Sequence, residues 1–205
     1  MRKKLLFSIL SVVAISVLTF GVTYAYYVSS SNAGLTGDGY EGINTVLSLE
    51  KIYHASKLVP LDDSLIETAV SKTNNKCIDN SGYEVCSLYK ITLDNTENIE
   101  ELYGYVKTES STYTTDNLKY KFFDSNYNDL TDVMTLSKNE NEIVYFENNE
   151  NYFKLSVTGS MTYYLAIWLT DTGEEQSEDY SKKFNGYIGF ESGTEDGRIE
   201  AEFNS

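Results

Sequence analysis

The sequence predicts an all-β fold, an antiparallel β-sandwich with one short helix, preceded by an N-terminal apolar signal helix. Three observations carry that expectation. Runs in which apolar and polar residues alternate recur through the chain, as strands with one buried side require. Turn-forming residues, such as Asn80-Ser81-Gly82 and Thr170-Asp171-Thr172-Gly173, separate these runs. One stretch, DDSLIETAVSK, breaks the strand pattern.

The chain starts MRKK and continues LLFSILSVVAISVLTFGV, residues 5–22, without a charge. A basic start, an apolar run and the small residues Thr23 and Ala25 are what a signal peptidase reads. A cut between Ala25 and Tyr26 is therefore expected, with residues 1–25 as the signal peptide. The alternative is an uncleaved membrane anchor, because this run is at the short edge of a bilayer span. In both cases the basic residues stay inside and everything after residue 25 is exported. Residues 26–42, which include VSSSNAGLTGDGYEG, are small, polar and glycine-containing, and read as a flexible lead segment.

Residues 43–205 read as a single sandwich domain without internal repeats. In VCSLYKITL, Val85, Tyr89, Ile91 and Leu93 share a face opposite Lys90 and Thr92. In YFKLSVT, Phe153, Leu155 and Val157 oppose Lys154, Ser156 and Thr158. FNGYIGF sets Phe184, Ile188 and Phe190 together. YYLAIWL, residues 163–169, is apolar on both faces and is expected to be the most central strand. INTVLSL, LYGYVKT, LKYKFF and EIVYFE supply the remaining strands. The exceptional stretch offers Ser64 as an N-cap with Glu67 three residues on, a capping box that opens a short helix. The Asn- and Glu-rich residues 137–152 carry a hairpin with Glu147-Asn148-Asn149-Glu150 as its loop.

Charge narrows the partners. The net charge is −15, and losing Arg2, Lys3 and Lys4 with the leader leaves 13 basic against 31 acidic residues, or −18. Such a surface repels nucleic acid phosphates and anionic lipids, so nucleic acid is not an expected partner. Eighteen tyrosines stand against a single tryptophan. Tyrosine suits a strand with one wet and one dry side. The tyrosines lie in nearly every strand, which favours a structural role over a sugar-binding platform; a platform would concentrate them.

Both cysteines lie in NKCIDNSGYEVCSL. A two-residue turn at Ser81-Gly82 sets Cys77 directly opposite Cys86, in a non-hydrogen-bonded pair of about 4.5 Å between α-carbons. A disulfide there should contribute roughly 2–3 kcal/mol. Two thiolates are too few for zinc, and eight intervening residues are wrong for a redox motif. The staple agrees with export.

Catalysis is not expected. His54 is the only histidine, which removes an HExxH zinc site, and no nucleophile elbow is present. Acidic residues are too numerous for any carboxylate pair to stand out. The turns DTGEEQSED (171–179) and TEDG (194–197) could bind calcium weakly but match no EF-hand loop. No catalytic residue, cofactor site or metal site is assigned.

The signal ending Thr23-Tyr24-Ala25-Tyr26-Tyr27, the polar lead and the acidic strand-rich body resemble the TasA/camelysin group of exported Gram-positive proteins. The stretch YLAIWLTDTGEEQSEDYSKKFNGYIGFES continues the likeness, so residues 1–30 and 164–192 carry it. The resemblance implies a jelly-roll-like sandwich, processing by a dedicated signal peptidase, and assembly into biofilm matrix fibres. It also implies that the new N-terminus, Tyr26-Tyr27-Val28, completes the sheet of the next subunit as a donor strand. An open sheet edge invites such addition on general grounds, and head-to-tail addition gives filaments. The metallopeptidase label of camelysin-type relatives does not transfer to a chain with one histidine. The expectation is thus a self-associating structural protein of the cell surface or matrix. The alternative is a monomeric adhesin for glycan or wall components.

Overall fold

The computed structural model describes residues 43–54, 58–71, 76–192 and 197–204, the side chains of 96–98 excepted. The signal segment with Thr23 and Ala25, the lead segment with Tyr26, Tyr27 and Val28, and residues 193–196 lie outside the described residues.

Among the described residues ten strands follow one another: β1 (Thr45–Tyr53), β2 (Cys86–Ser111), β3 (Leu118–Phe123), β4 (Met134–Thr135), β5 (Ile143–Tyr145), β6 (Glu147–Asn148), β7 (Asn151–Tyr152), β8 (Lys154–Leu169), β9 (Phe184–Ser192) and β10 (Arg198–Asn204). A 3-10 turn at Asp63–Leu65 leads into the short helix α1 (Ile66–Val70). Eight strands form one hydrogen-bonded sheet in the order β10-β9-β2-β8-β3-β4, with β1 and β5 also paired to β2. β6 and β7 form a separate hairpin. The expected antiparallel sandwich is present, wrapped nearly into a barrel.

β2 is long because it serves two halves of this sheet. Its first part pairs with β1 and β8, through Ile91↔Leu49 and Ile91↔Tyr163. Its last part pairs with β9 and β5, through Tyr105↔Gly189 and Tyr105↔Tyr145. Between them the register breaks: residues 96–99 of β2 stand against Thr158 alone, since Asn95 faces Gly159 and Glu100 faces Val157. A bulge of this kind bends the strand and carries it from one half to the other.

The main core fills the space between the halves. Leu47, Ile91, Leu165 and Ile167 of the first half join Val106, Ile188, Phe190 and Ala201 of the second in one cluster. Phe122 stacks on Tyr163 and reaches Phe190 across the core, with ring centroids 5.1 Å and 6.2 Å apart. β8 is the central strand that its sequence announces. Tyr163, Leu165, Ile167 and Leu169 face this core, while Ala166 and Trp168 face a second cluster on the other side. The alternations at Phe153–Thr158 and Phe184–Phe190 also hold, with Leu155, Val157, Phe184, Ile188 and Phe190 buried.

The second cluster covers the outward face of the first half. Cys86, Leu88, Phe123, Ala166 and Trp168 of the sheet pack with Ile66, Ala69 and Val70 of α1 and with Cys77 of the hairpin. Val85 belongs here and not with Tyr89, Ile91 and Leu93, because it precedes the start of β2, where the strict alternation begins. The helix start is also displaced from expectation. Asp62, not Ser64, supplies the capping carboxylate, accepting from the Ser64 N–H at 2.9 Å and hydroxyl at 2.6 Å. A carboxylate two residues earlier wins because the first turn is a tight 3-10 turn. Glu67 does not close a capping box and instead accepts from Lys121 Nζ at 2.9 Å.

Candidate functional site

The cysteines pair as expected, with α-carbons 5.4 Å apart, but the hairpin register differs by one residue. Ile78 bridges Glu84, and the Asp79 and Tyr83 backbones are bonded across a three-residue turn, Asn80-Ser81-Gly82. Gly82 takes φ +88°, a left-handed conformation that glycine adopts without strain. The Asp79 carboxylate fixes this longer turn by accepting from the Ser81 and Tyr83 N–H groups, each at 2.8 Å. The Val85 N–H bonds the Cys77 carbonyl, so Cys86 is bridged from the next position rather than from directly opposite. The second expected hairpin is shorter than expected. Glu147 pairs Tyr152 and Asn148 pairs Asn151, which leaves only Asn149-Glu150 as the loop.

The other residues singled out in the sequence occupy separate places. His54 is largely exposed, with Nδ1 3.3 Å from the Ser87 hydroxyl; partial desolvation of its ring, then Lys51, holds its pKa below the usual range. Asp171 accepts from the Gly173 N–H at 2.9 Å. Asp179 is buried and accepts from the Thr115 hydroxyl at 2.5 Å and the Asn117 amide at 2.8 Å. Among the described residues no three metal-ligating side chains gather.

Two surfaces stand out instead. The first is the seam between β1 and β10. Each is bonded to only one strand, β1 to β2 and β10 to β9, and no ladder joins them among the described residues. Their ends are tied by side chains. Lys51 Nζ donates to the Asn204 side-chain oxygen at 2.8 Å and to its carbonyl at 3.3 Å, and the Tyr89 hydroxyl donates to the same carbonyl. Tyr89 packs on Phe203 beneath. The closure is therefore one of side chains over two strand edges.

The second surface is the outward face of the second half, built by register. Arg198, Glu191, Tyr103 and Lys154 form one row across β10, β9, β2 and β8. Glu200, Gly189, Tyr105 and Tyr145 form the next row, ending on β5. Glu202, Tyr187, Lys107 and Ile143 form the third. The Tyr105 ring lies across Gly189, where a Cβ would stand 2.2 Å from its Cζ, so only glycine leaves room for it. Its hydroxyl donates to Glu200 at 2.7 Å, and Arg198 lies 5.1 Å over its ring. Burial first, then the Glu200 bond, pushes the Tyr105 pKa far up. Tyr145 donates to Glu191 at 2.6 Å, Arg198 donates to the other oxygen of Glu191 at 2.7 Å, and Tyr187 donates to Glu109 at 3.1 Å. The Tyr145 and Tyr187 pKa values are raised, the first chiefly by its Glu191 bond and the second chiefly by burial. Tyr152 of β7 packs on Tyr145 at 5.4 Å and is 64% exposed.

Five tyrosines thus converge on this face, a concentration that counting along the chain does not reveal. The signal was nevertheless present. In LYGYVKT, Tyr103, Tyr105 and Lys107 alternate with Leu102, Gly104 and Val106, and in FNGYIGFES, Tyr187, Gly189 and Glu191 alternate with Ile188 and Phe190.

No family model matches the chain, and no curated protein matches it. Among solved structures, the chain is similar to a FixG-related protein from Vibrio parahaemolyticus, at 10% identity and a TM-score of 0.33 over 80% of this chain and 95% of that one. It is also similar to AvmM, described as catalysing macrocyclization in alchivemycin A biosynthesis, at 7% identity and a TM-score of 0.34 over 80% and 89%. Similarities of this size assign neither family nor activity.

Proposed function

We propose that the chain is an exported structural protein of the cell surface or extracellular matrix that self-associates by strand addition. The observation that carries the reading is the seam: two strand edges, nine and seven residues long, face each other with no ladder between them among the described residues. Unpaired edge N–H and C=O groups are a template for another strand, and addition from a second copy does not close on itself. The signal sequence, the resemblance to the TasA/camelysin group and the oxidised cysteine pair support export. In this reading a signal peptidase cuts after Ala25, and Tyr26-Tyr27-Val28 leads the donor strand. Retention of the leader would instead leave the domain anchored at the membrane. No catalytic step belongs to this role.

Electron microscopy of the protein beginning at Tyr26, beside a variant lacking residues 26–34, tests it. Fibres are expected only from the first. Equal fibre formation by both removes the donor role, and no fibres from either removes assembly by this route.

A further inference from the structure

We propose, building on the strand-addition reading, that β1 rather than β10 is the edge that receives the strand of a second copy, and that Lys51 gates it. The two edges differ in chemistry. Arg198, Glu200 and Glu202 point outward along β10, opposite the buried Ala201 and Phe203. Charged side chains along a free edge guard it against another strand. On β1 the outward residues are Val46, Ser48 and Glu50, alternating with the buried Thr45, Leu47 and Leu49. Val46 is 55% exposed, and Glu50 is already paired with Lys90 at 3.8 Å. The first five residues of β1 are thus an uncharged edge, without the guard that β10 carries.

The chain itself supplies a strand to match. After Ala25 its two longest runs without a charged residue are 155–170 and 26–37. The first is nearly all of β8 and is paired on both sides, to β2 and β3. The second begins with Tyr26-Tyr27-Val28 and lies outside the described residues. Laid on β10, an uncharged strand would partly desolvate Glu200 and Glu202 and bring no cation in return; laid on β1 it meets no such cost. The lane beside β1 is crossed at its far end. Lys51 continues the inward row of Thr45, Leu47 and Leu49 and reaches the Asn204 side-chain oxygen at 2.8 Å and carbonyl at 3.3 Å. Tyr89, its partner in register, holds the same carbonyl. A bonded neighbour lies about 4.8 Å from its strand, so a strand running past Glu50 has to displace this clasp.

The test is the rate of fibre growth by the protein beginning at Tyr26, read by sedimentation and electron microscopy. Val46→Lys with Ser48→Lys places two ammonium groups at exposed positions of β1 and should slow growth roughly tenfold or more, with the melting temperature unchanged. Should the pair lower the melting temperature, Ser48→Lys alone repeats the test at an exposed position. Glu202→Thr, which strips a charge from β10, should leave the rate unchanged. Lys51→Met keeps the apolar stem, removes the clasp and should speed growth about fivefold, as losing one net hydrogen bond does. That acceleration should vanish when residues 26–34 are also deleted. Wild-type fibres whose growth ignores the lysines on β1, or quickens with Glu202→Thr, overturn the assignment to β1 and leave strand addition standing. Unchanged growth of Lys51→Met, or acceleration that survives the deletion, overturns the gate. A wild-type protein that stays monomeric overturns strand addition and this assignment together.

Discussion

On the first half of the sheet the outward face is apolar and roofed; on the second half it is tyrosine, carboxylate and guanidinium, with no such roof among the described residues, and Tyr105 at its centre is buried by these side chains alone. Leu88, Phe123, Ala166 and Trp168 cannot face water as a group, so α1 and the disulfide hairpin lie over them. A roof so short requires anchors. Trp168 Nε1 donates to Asp63 at 2.8 Å, the buried Lys121 reaches Glu67 at 2.9 Å and Asp129 at 3.1 Å, and Cys77 is bonded to Cys86. The second half requires none of this, because the Tyr105, Tyr145 and Tyr187 hydroxyls find carboxylate partners within the face. One outer face is thus held by an apolar roof and the other by hydrogen bonds among its own polar tips.

Truncating the centre of the roofed face is the strongest way to break this contrast. Trp168 is fully buried and also serves Asp63, so Trp168→Ala should cost about 3–5 kcal/mol by loss of burial and the cavity left behind. Tyr145→Phe on the unroofed face removes only the hydroxyl bond to Glu191 and should cost at most about 1 kcal/mol. Chemical denaturation of both variants reads the difference. Comparable losses would mean that the unroofed face is as structural as the roofed one.

Removing the staple is the next largest effect. A double Cys77→Ala, Cys86→Ala variant opens a link between residues nine apart in sequence, and the loop-closure estimate gives about 2.5 kcal/mol. The loss should be confined to the roof, so hydrogen exchange should accelerate in α1 and the 76–86 hairpin before the second half of the sheet responds. Uniform acceleration would show that the roof and the sandwich unfold as one unit.

Much of this arrangement was legible in the chain. Period-two patterns fix which side chains of β8 and β9 point inward, since only burial forces such alternation, and the apolar run 163–169 marks the strand covered on both faces. The spacing of the cysteines identified a hairpin staple, but its register depended on a longer turn that Asp79 stabilises by accepting two backbone N–H groups. The unroofed face was harder to read because it is non-local. Tyr105, Tyr145, Tyr187 and Arg198 come together only once β2 pairs β9 on one side and β5 on the other. Sequence shows that each of these residues points away from the core of its own strand; only the register shows that they point to one another.

The two hairpins offer the finest version of the comparison. The hairpin over the roofed face sets Gly82 in the left-handed region and adds a disulfide. The hairpin beside the unroofed face turns through Asn149 and Glu150, with φ of 52° and 62° and no glycine. Asparagine tolerates that conformation; glutamate is held there by the pairing of Glu147 with Tyr152 and Asn148 with Asn151, and by the bonds that the Asn149 N–H gives Asp132 and the Asn151 amide gives the Asn149 carbonyl. Glu150→Gly should therefore raise stability by about 0.5–1 kcal/mol, seen as a higher melting temperature. Because Tyr152 is the residue after the last turn partner, a firmer turn should also hold its ring more rigidly against Tyr145. An unchanged or lower melting temperature would show that the turn is not strained and that Tyr152 is positioned by the ring contact itself.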